Sequence, residues 1–172
     1  YTVAADLLRG CDGNFEKEVA RIQREIDLAA IMGAPCVRHD ASAGFPPEHV
    51  GPKSFDAALP RLAEGCRILT EYAAAKGIKT TVENHGRFCQ DSRRVEKLVT
   101  AVNHPNFGVL IDIGNFICVD EDPRVAVGRL IPYAFHCHAK DFHMKPGTLP
   151  YPGKPWGVSR GGNYYRGAII GH

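Results

Sequence analysis

Three ionisable side chains, Glu83, Asp112 and His138, each lie near the end of a short apolar run. Twenty-nine residues separate the first two and 26 separate the last two, close to the roughly 31 expected per unit when about 250 residues make the eight βα units of a closed barrel. Because the carboxyl ends of neighbouring parallel strands open on one side of a sheet, we expect these side chains to converge. Two carboxylates and an imidazole predict a site for one divalent metal ion. The oxygen-rich ligands favour Mn²⁺, Mg²⁺ or Co²⁺ and leave Zn²⁺ open.

The third apolar run, FHCHAKDFH, carries three histidines and a lysine. Because side chains alternate along a strand, His136, His138 and Lys140 share one face. His138 is the expected ligand, and His136 is expected one layer deeper, filling the barrel interior. Lys140, at the rim, is predicted to hold a substrate oxygen or to stabilise an enediolate. Asp141 and His143 lie beyond the predicted strand and are expected to have local structural roles.

Each of these residues also has a purely structural interpretation. Taken singly, Glu83 is consistent with a solvated rim residue, and Asp112 with an Asx turn formed with the following IGN. Their regular spacing favours function. His85 is predicted to contact substrate or to support a ligand. Arg38 is predicted to bind a substrate hydroxyl or phosphate, with an ion pair to Asp40 as the alternative.

The elements that position these side chains alternate between short apolar runs and helical patterns, which is typical of an α/β protein with a parallel sheet. We predict one domain over residues 1–172. Its last stretch, residues 145–172, lacks periodicity and is predicted to be a long ordered loop. The predicted strands cover residues 1–7, 36–39, 78–84, 107–112 and 134–139, and the predicted helices cover about 15–32, 54–76, 93–102 and a short segment after Asp122.

Composition favours small-molecule chemistry. The 172 residues are 44% hydrophobic, and a formal net charge of +2 is spread along the chain, so no basic surface for nucleic acid or membrane is predicted. No apolar run approaches the roughly 20 residues that span a bilayer. Six dispersed cysteines without a C-x-x-C pair favour reduced thiols and a cytoplasmic location. A homo-oligomer is left open.

At TVENHG, LIDIGN and HCHAKDFH the sequence resembles the xylose isomerase-like TIM-barrel superfamily of sugar phosphate isomerases and epimerases. In that family Glu, Asp, His and a final Glu hold a metal at the ends of strands five to eight. The resemblance implies Glu83, Asp112 and His138 as the first three ligands. The five predicted strands would then be strands three to seven of a (β/α)8 TIM barrel that is incomplete in this chain, and the natural polypeptide is expected to be longer. Asn115 stands where the family commonly has histidine; it can bind substrate but cannot act as a base.

The resemblance implies isomerisation or epimerisation of a sugar, sugar phosphate or cyclitol through a metal-stabilised enediolate. The resemblance implies Glu83 and the final glutamate of the family as the acid/base pair, and Lys140 is the second predicted catalytic residue because of its position at the rim. Three alternatives stay open. These are a dehydratase acting on an inosose or on dehydroshikimate, a non-catalytic sugar-binding barrel, and a DNA-repair nuclease of the endonuclease IV type. The nuclease is disfavoured because it needs a trinuclear zinc cluster, whereas only one mononuclear set is apparent.

Overall fold

Five parallel strands form the sheet on which the predicted site residues lie. The computed structural model describes residues 1–171 of the 172. The strands are hydrogen-bonded in chain order, and a helical crossover joins each strand to the next. The predicted α/β class is confirmed, although the first strand is shorter than the predicted residues 1–7. The strand bounds are β1 Thr2–Val3, β2 Cys36–His39, β3 Lys79–Glu83, β4 Phe107–Asp112 and β5 Ala134–His138.

The α-helices within residues 1–171 begin where polar side chains cap them. The capping side chains of Asn14, Ser54, Asp91 and Asp122 each accept a hydrogen bond from a backbone N–H of the first helical turn, which otherwise lacks a partner within the helix. The helix bounds are α1 Phe15–Ile31, α2 Phe55–Ala74, α3 Ser92–Val102 and α4 Pro123–Leu130. None of these helices combines the length and the apolar character that crossing a bilayer requires.

The helices cover one face of the sheet and leave the other open. Val82 and Ile111 point toward the helices and are 0% and 1% exposed. They pack in one core with apolar side chains of α1, α2 and α3, including Ile22, Ile26, Leu62, Leu69 and Leu98. The opposite face, which includes Thr81, Leu110 and His138, lines an open groove of about 740 Å³. Alternation along each strand therefore separates the apolar core from the polar face that carries the predicted site.

The last part of the chain folds into a second sheet, so the prediction of a long loop was wrong. A strand β6 (Asp141–Lys145) pairs antiparallel with β8 (Tyr164–Ala168), which also pairs with β7 (Gly157–Val158). Asp141 and His143 thus belong to a strand of their own. Phe142 and Tyr165 pack edge to face, with ring centroids 5.2 Å apart, on the side of this sheet that faces the predicted site.

Candidate metal centre

The three predicted ligands converge at the carboxyl ends of neighbouring strands. Glu83 ends β3, Asp112 ends β4 and His138 ends β5, and Asp112 and His138 are register partners. One ligand atom of each residue lies within 4.8 Å of the other two. Glu83 and Asp112 are buried, whereas His138 is exposed. Within residues 1–171 these residues form the one group of three or more His, Cys, Asp or Glu side chains close enough to share a metal ion.

Asp112 is held by its own turn and by the residue that follows β3. Its Oδ1 accepts hydrogen bonds from the backbone amides of Gly114 and Asn115 at 3.0 and 3.1 Å, as the Asx-turn interpretation expected. The side chain of Asn84 is bonded to both backbone groups of Asp112, at 2.8 and 2.9 Å. Oδ2 is left for a ligand, so the turn and a metal-binding role are compatible. Burial raises the pKa of Asp112 against the opposing effect of the Lys140 ammonium.

Glu83 is fixed from two sides. The Arg38 Nε donates to Glu83 Oε2 at 2.5 Å, and the side-chain amide of Asn115 donates to Oε1 at 3.0 Å. Arg38 also binds both carboxylate oxygens of Asp40, at 2.9 and 3.0 Å. The alternative interpretation of Arg38 as an ion-pair partner of Asp40 therefore matches the structure, and its contact with substrate stays a prediction.

Lys140 and Asn115 lie beside the two carboxylates. Lys140 Nζ donates to Asn115 Oδ1 at 2.9 Å and lies 3.9 Å from Asp112 Oδ2. The absence of a side chain at Gly114 lets the backbone of Lys140 pack against the turn after β4, since a Cβ at Gly114 would lie 2.8 Å from the backbone oxygen of Lys140. Asn115 thus links the ammonium to the carboxylate of Glu83 through opposite ends of one amide.

His85 and His136 lie outside the group of three ligands. His85 Nδ1 lies 3.0 Å from Asp40 Oδ1, and this hydrogen bond raises the pKa of His85 even though partial burial opposes the rise. Asp40, which holds His85, is also bound by Arg38, the partner of Glu83. His136 lines the same open groove as His138, on the sheet face predicted to be the barrel interior, and it is exposed because β5 is the edge strand of the five-stranded sheet described for residues 1–171.

One supporting residue has no signal in the sequence. The buried amide of Gln90 donates to the backbone oxygen of Asn115 at 2.5 Å and accepts from the backbone N–H of Arg87 at 2.6 Å. It ties the loop after β3 to the turn after β4. A glutamine in a loop is compatible with many roles, so neither its type nor its position pointed here.

The donor set of Glu83, Asp112 and His138 fits a divalent ion. Glu83 Oε1 accepts one hydrogen bond, from the side-chain amide of Asn115, and so keeps a lone pair. Ligand atoms of Glu83, Asp112 and His138, one from each, lie within 4.8 Å of one another. Two carboxylates with one imidazole suit Mg²⁺, Mn²⁺ or Co²⁺ and also permit Zn²⁺. The three residues leave coordination positions for water, substrate or another side chain.

A family model described as xylose isomerase-like TIM barrel matches residues 11–170. No curated protein has significant sequence similarity to the chain. Among solved structures, a xylose isomerase-like TIM barrel protein from Mycobacterium smegmatis in complex with magnesium is 20% identical, with a TM-score of 0.70, over 97% of this chain and 56% of that chain.

Two further solved structures are described as an epimerase and a probable dehydratase. The 3-keto-D-glucoside 4-epimerase YcjR from E. coli is 15% identical, with a TM-score of 0.67, over 81% of this chain and 58% of that one. The probable 3-DHS dehydratase AsbF from Bacillus anthracis is 19% identical, with a TM-score of 0.64, over 82% of this chain and 50% of that one. The chain spans about half the length of such structures. At these identities the likeness confirms the fold, with five strands of a TIM barrel present.

Proposed function

The chain belongs to the xylose isomerase-like TIM barrel family, and from that premise we propose that it is a divalent-metal-dependent isomerase or epimerase of a sugar, sugar phosphate or cyclitol. One observation carries the proposal: the ligand atoms of Glu83, Asp112 and His138 lie within 4.8 Å of one another at three adjacent strand ends. The likeness to a sugar epimerase of E. coli supports the substrate class.

The ion, when bound, supplies a positive charge that polarises a substrate carbonyl and acidifies the neighbouring carbon. Glu83 would remove the proton from that carbon, with the carboxylate oriented by Arg38 and Asn115. Lys140 Nζ would donate a hydrogen bond to the substrate oxygen on which negative charge develops. Its bond to Asn115 Oδ1 keeps the ammonium beside the site before substrate arrives.

A dehydratase acting on a keto-cyclitol is the second candidate, because one structurally similar protein is a probable 3-DHS dehydratase. The same residues would serve both reactions. Each begins with removal of a proton next to a carbonyl, for which Glu83 is the candidate, and they differ in whether the proton returns to carbon or a hydroxyl group departs.

The first test is metal content of the purified chain, measured by elemental analysis after exposure to Mn²⁺, Mg²⁺, Co²⁺ and Zn²⁺. We expect about one ion per chain, lost in Glu83→Gln and in His138→Ala. His136→Ala, two residues earlier on the same strand, is the matched control and should keep the ion. Absence of metal in the wild-type chain would overturn the proposal.

The second test follows the proton. Ketoses, sugar phosphates and inososes are incubated with the metal-loaded protein in D₂O, and NMR records exchange at the carbon next to the carbonyl. Deuterium in an isomerised or epimerised product supports the proposal, and an unsaturated product supports the dehydratase. Sugar binding without exchange would indicate a non-catalytic sugar-binding barrel.

A further inference from the structure

A second cavity of about 330 Å³ adjoins the metal centre. It shares Asn115 and Lys140 with the centre, and its outer wall is formed by Arg87 from the loop after β3 and by Phe142 and Tyr165 from the antiparallel sheet. A molecule that reaches the metal ligands can therefore extend past Lys140 into this cavity.

The charged groups that line the cavity are basic. They are Arg87 and Lys140, and no carboxylate among residues 1–171 lines the cavity. Within residues 1–171, no carboxylate lies within 4.0 Å of the Arg87 guanidinium. Its Nη2 donates to the backbone oxygen of Val158 at 2.6 Å and lies 3.5 Å from the Tyr165 hydroxyl. These contacts leave most of its five N–H donors for a ligand.

The position of Arg87 is fixed by the loop that carries it. Its backbone adopts a left-handed conformation, with φ of 64°, which is uncommon for a residue other than glycine. The buried Gln90 holds the backbone N–H of Arg87 and also the backbone of Asn115, while Arg160 donates to the backbone oxygen of Arg87. The guanidinium is thus anchored to the turn that carries part of the metal centre.

We propose that this cavity binds an anionic substituent, a carboxylate or a phosphate, of the substrate whose other oxygens lie at the metal centre. The inference rests on the proposed function and narrows its substrate class to sugar acids or sugar phosphates rather than neutral sugars. The planar fork of an arginine matches either group through paired hydrogen bonds. Lys140, between the cavity and the metal ligands, would contact the part of the substrate that joins the two.

The test uses two small anions as probes, inorganic phosphate and acetate. Calorimetry on the metal-free chain in EDTA, at constant ionic strength with chloride as the balancing anion, separates this cavity from the metal centre. We expect saturable binding of at least one probe, weakened by about 10- to 100-fold in Arg87→Asn, which is the range for loss of hydrogen bonds to a charged group. Asparagine tolerates the left-handed backbone. Arg87→Lys keeps the positive charge and should lose less of the affinity for the probe.

Arg93→Asn, an exposed arginine at the start of α3, is the control and should bind the probes as the wild-type chain does. The tighter of the two probes identifies the substituent as phosphate or carboxylate. Absence of saturable binding of both probes, or equal binding by wild type and Arg87→Asn, would overturn the anionic subsite. A chain that binds phosphate or acetate but takes up no metal would instead overturn the proposed function and leave the subsite standing.

Discussion

Replacing Asp112 with asparagine should abolish metal binding without destabilising the metal-free protein. Asparagine keeps the Oδ1 that accepts hydrogen bonds from Gly114 and Asn115, so the turn after β4 is retained. What disappears is a buried negative charge close to Glu83. Most substitutions of buried hydrogen-bonded groups cost stability, so an unchanged or raised stability would be diagnostic of a carboxylate kept for a ligand.

The expected size follows from the charges around the site. Two carboxylates no more than 4.8 Å apart repel by roughly 3 kcal/mol at an effective dielectric constant of about 20. Arg38, bonded to Glu83, offsets part of this repulsion. Lys140 lies 3.9 Å from Asp112 but its side chain is 44% exposed, so its attraction contributes about 1 kcal/mol or less. We therefore expect the free energy of unfolding of Asp112→Asn in EDTA to be unchanged or raised by up to about 2 kcal/mol.

The pH dependence gives the sign of the effect. Burial raises the pKa of Asp112 in the folded protein, so ionisation of this carboxyl favours the unfolded state. The stability that the protonated group contributes is complete below its unfolded pKa and is lost as the pH rises through its folded pKa. Asp112→Asn has no carboxyl group to ionise at this position. Its free energy of unfolding should therefore exceed that of the wild-type chain by more near pH 7 than in acid.

Urea denaturation followed by circular dichroism, in EDTA and in MnCl₂, provides the assay. At 100 times the Kd, Mn²⁺ should stabilise the wild-type chain by about 2.7 kcal/mol and leave Asp112→Asn unchanged. Asp56→Asn, at an exposed carboxylate, is the control and should respond to Mn²⁺ as wild type does. A loss of more than about 2 kcal/mol in EDTA, or retained stabilisation by Mn²⁺, would refute the reasoning.

Two further predictions concern packing and a buried ion pair. Gly114→Ala should lower the free energy of unfolding by about 1–3 kcal/mol and weaken metal binding, because the new methyl group meets the backbone of Lys140. Gly128→Ala, in α4 with open space around it, should instead stabilise by about 0.5–1 kcal/mol; equal effects of the two in urea denaturation would contradict this account. Glu18 is 2% exposed; burial opposes its ionisation, but hydrogen bonds from Arg21 and a backbone amide lower its pKa on balance. Its contribution is therefore present above its unfolded pKa and lost as the pH falls through the folded one, so Glu18→Gln should cost about 1–3 kcal/mol at pH 7 and less near pH 3. An equal loss in the free energy of unfolding at both pH values, again measured by urea denaturation, would contradict a stabilising role for the ionised Glu18.

The parallel sheet and the convergence of the ligands could be predicted because both follow from local patterns. The predicted second and fourth strands have the observed bounds, Cys36–His39 and Phe107–Asp112, since each is a short apolar run between helical patterns. Glu83, Asp112 and His138 each end a strand, so the geometry of a parallel sheet brings them to one edge. The positions of the predicted strand ends were therefore sufficient to predict that these three side chains lie close together.

The antiparallel sheet could not be predicted because its pairing is long-range. Strand β6 starts three residues after β5 ends. The sequence HCHAKDFH therefore predicted one strand followed by a loop rather than two strands. Its partner β8 lies beyond a segment rich in glycine and proline, which hides the pairing. The hydrogen bond between Arg38 and Glu83 joins residues 45 positions apart and depends on the register of two strands, which the sequence does not display.

Asn115 shows how the sequence constrained chemistry that only the structure explains. An amide cannot exchange a proton as a base, so the residue types excluded a general base at this position. The structure places the two ends of that amide on Glu83 Oε1 and Lys140 Nζ, which are the two groups proposed to act on substrate. Because the amide oxygen only accepts and its nitrogen only donates, it orients the carboxylate and the ammonium in a fixed order without taking their protons. Of these three residues, Glu83 is therefore the one proposed to transfer the proton and Lys140 the one proposed to donate a hydrogen bond to substrate, and Asn115 acts by positioning them.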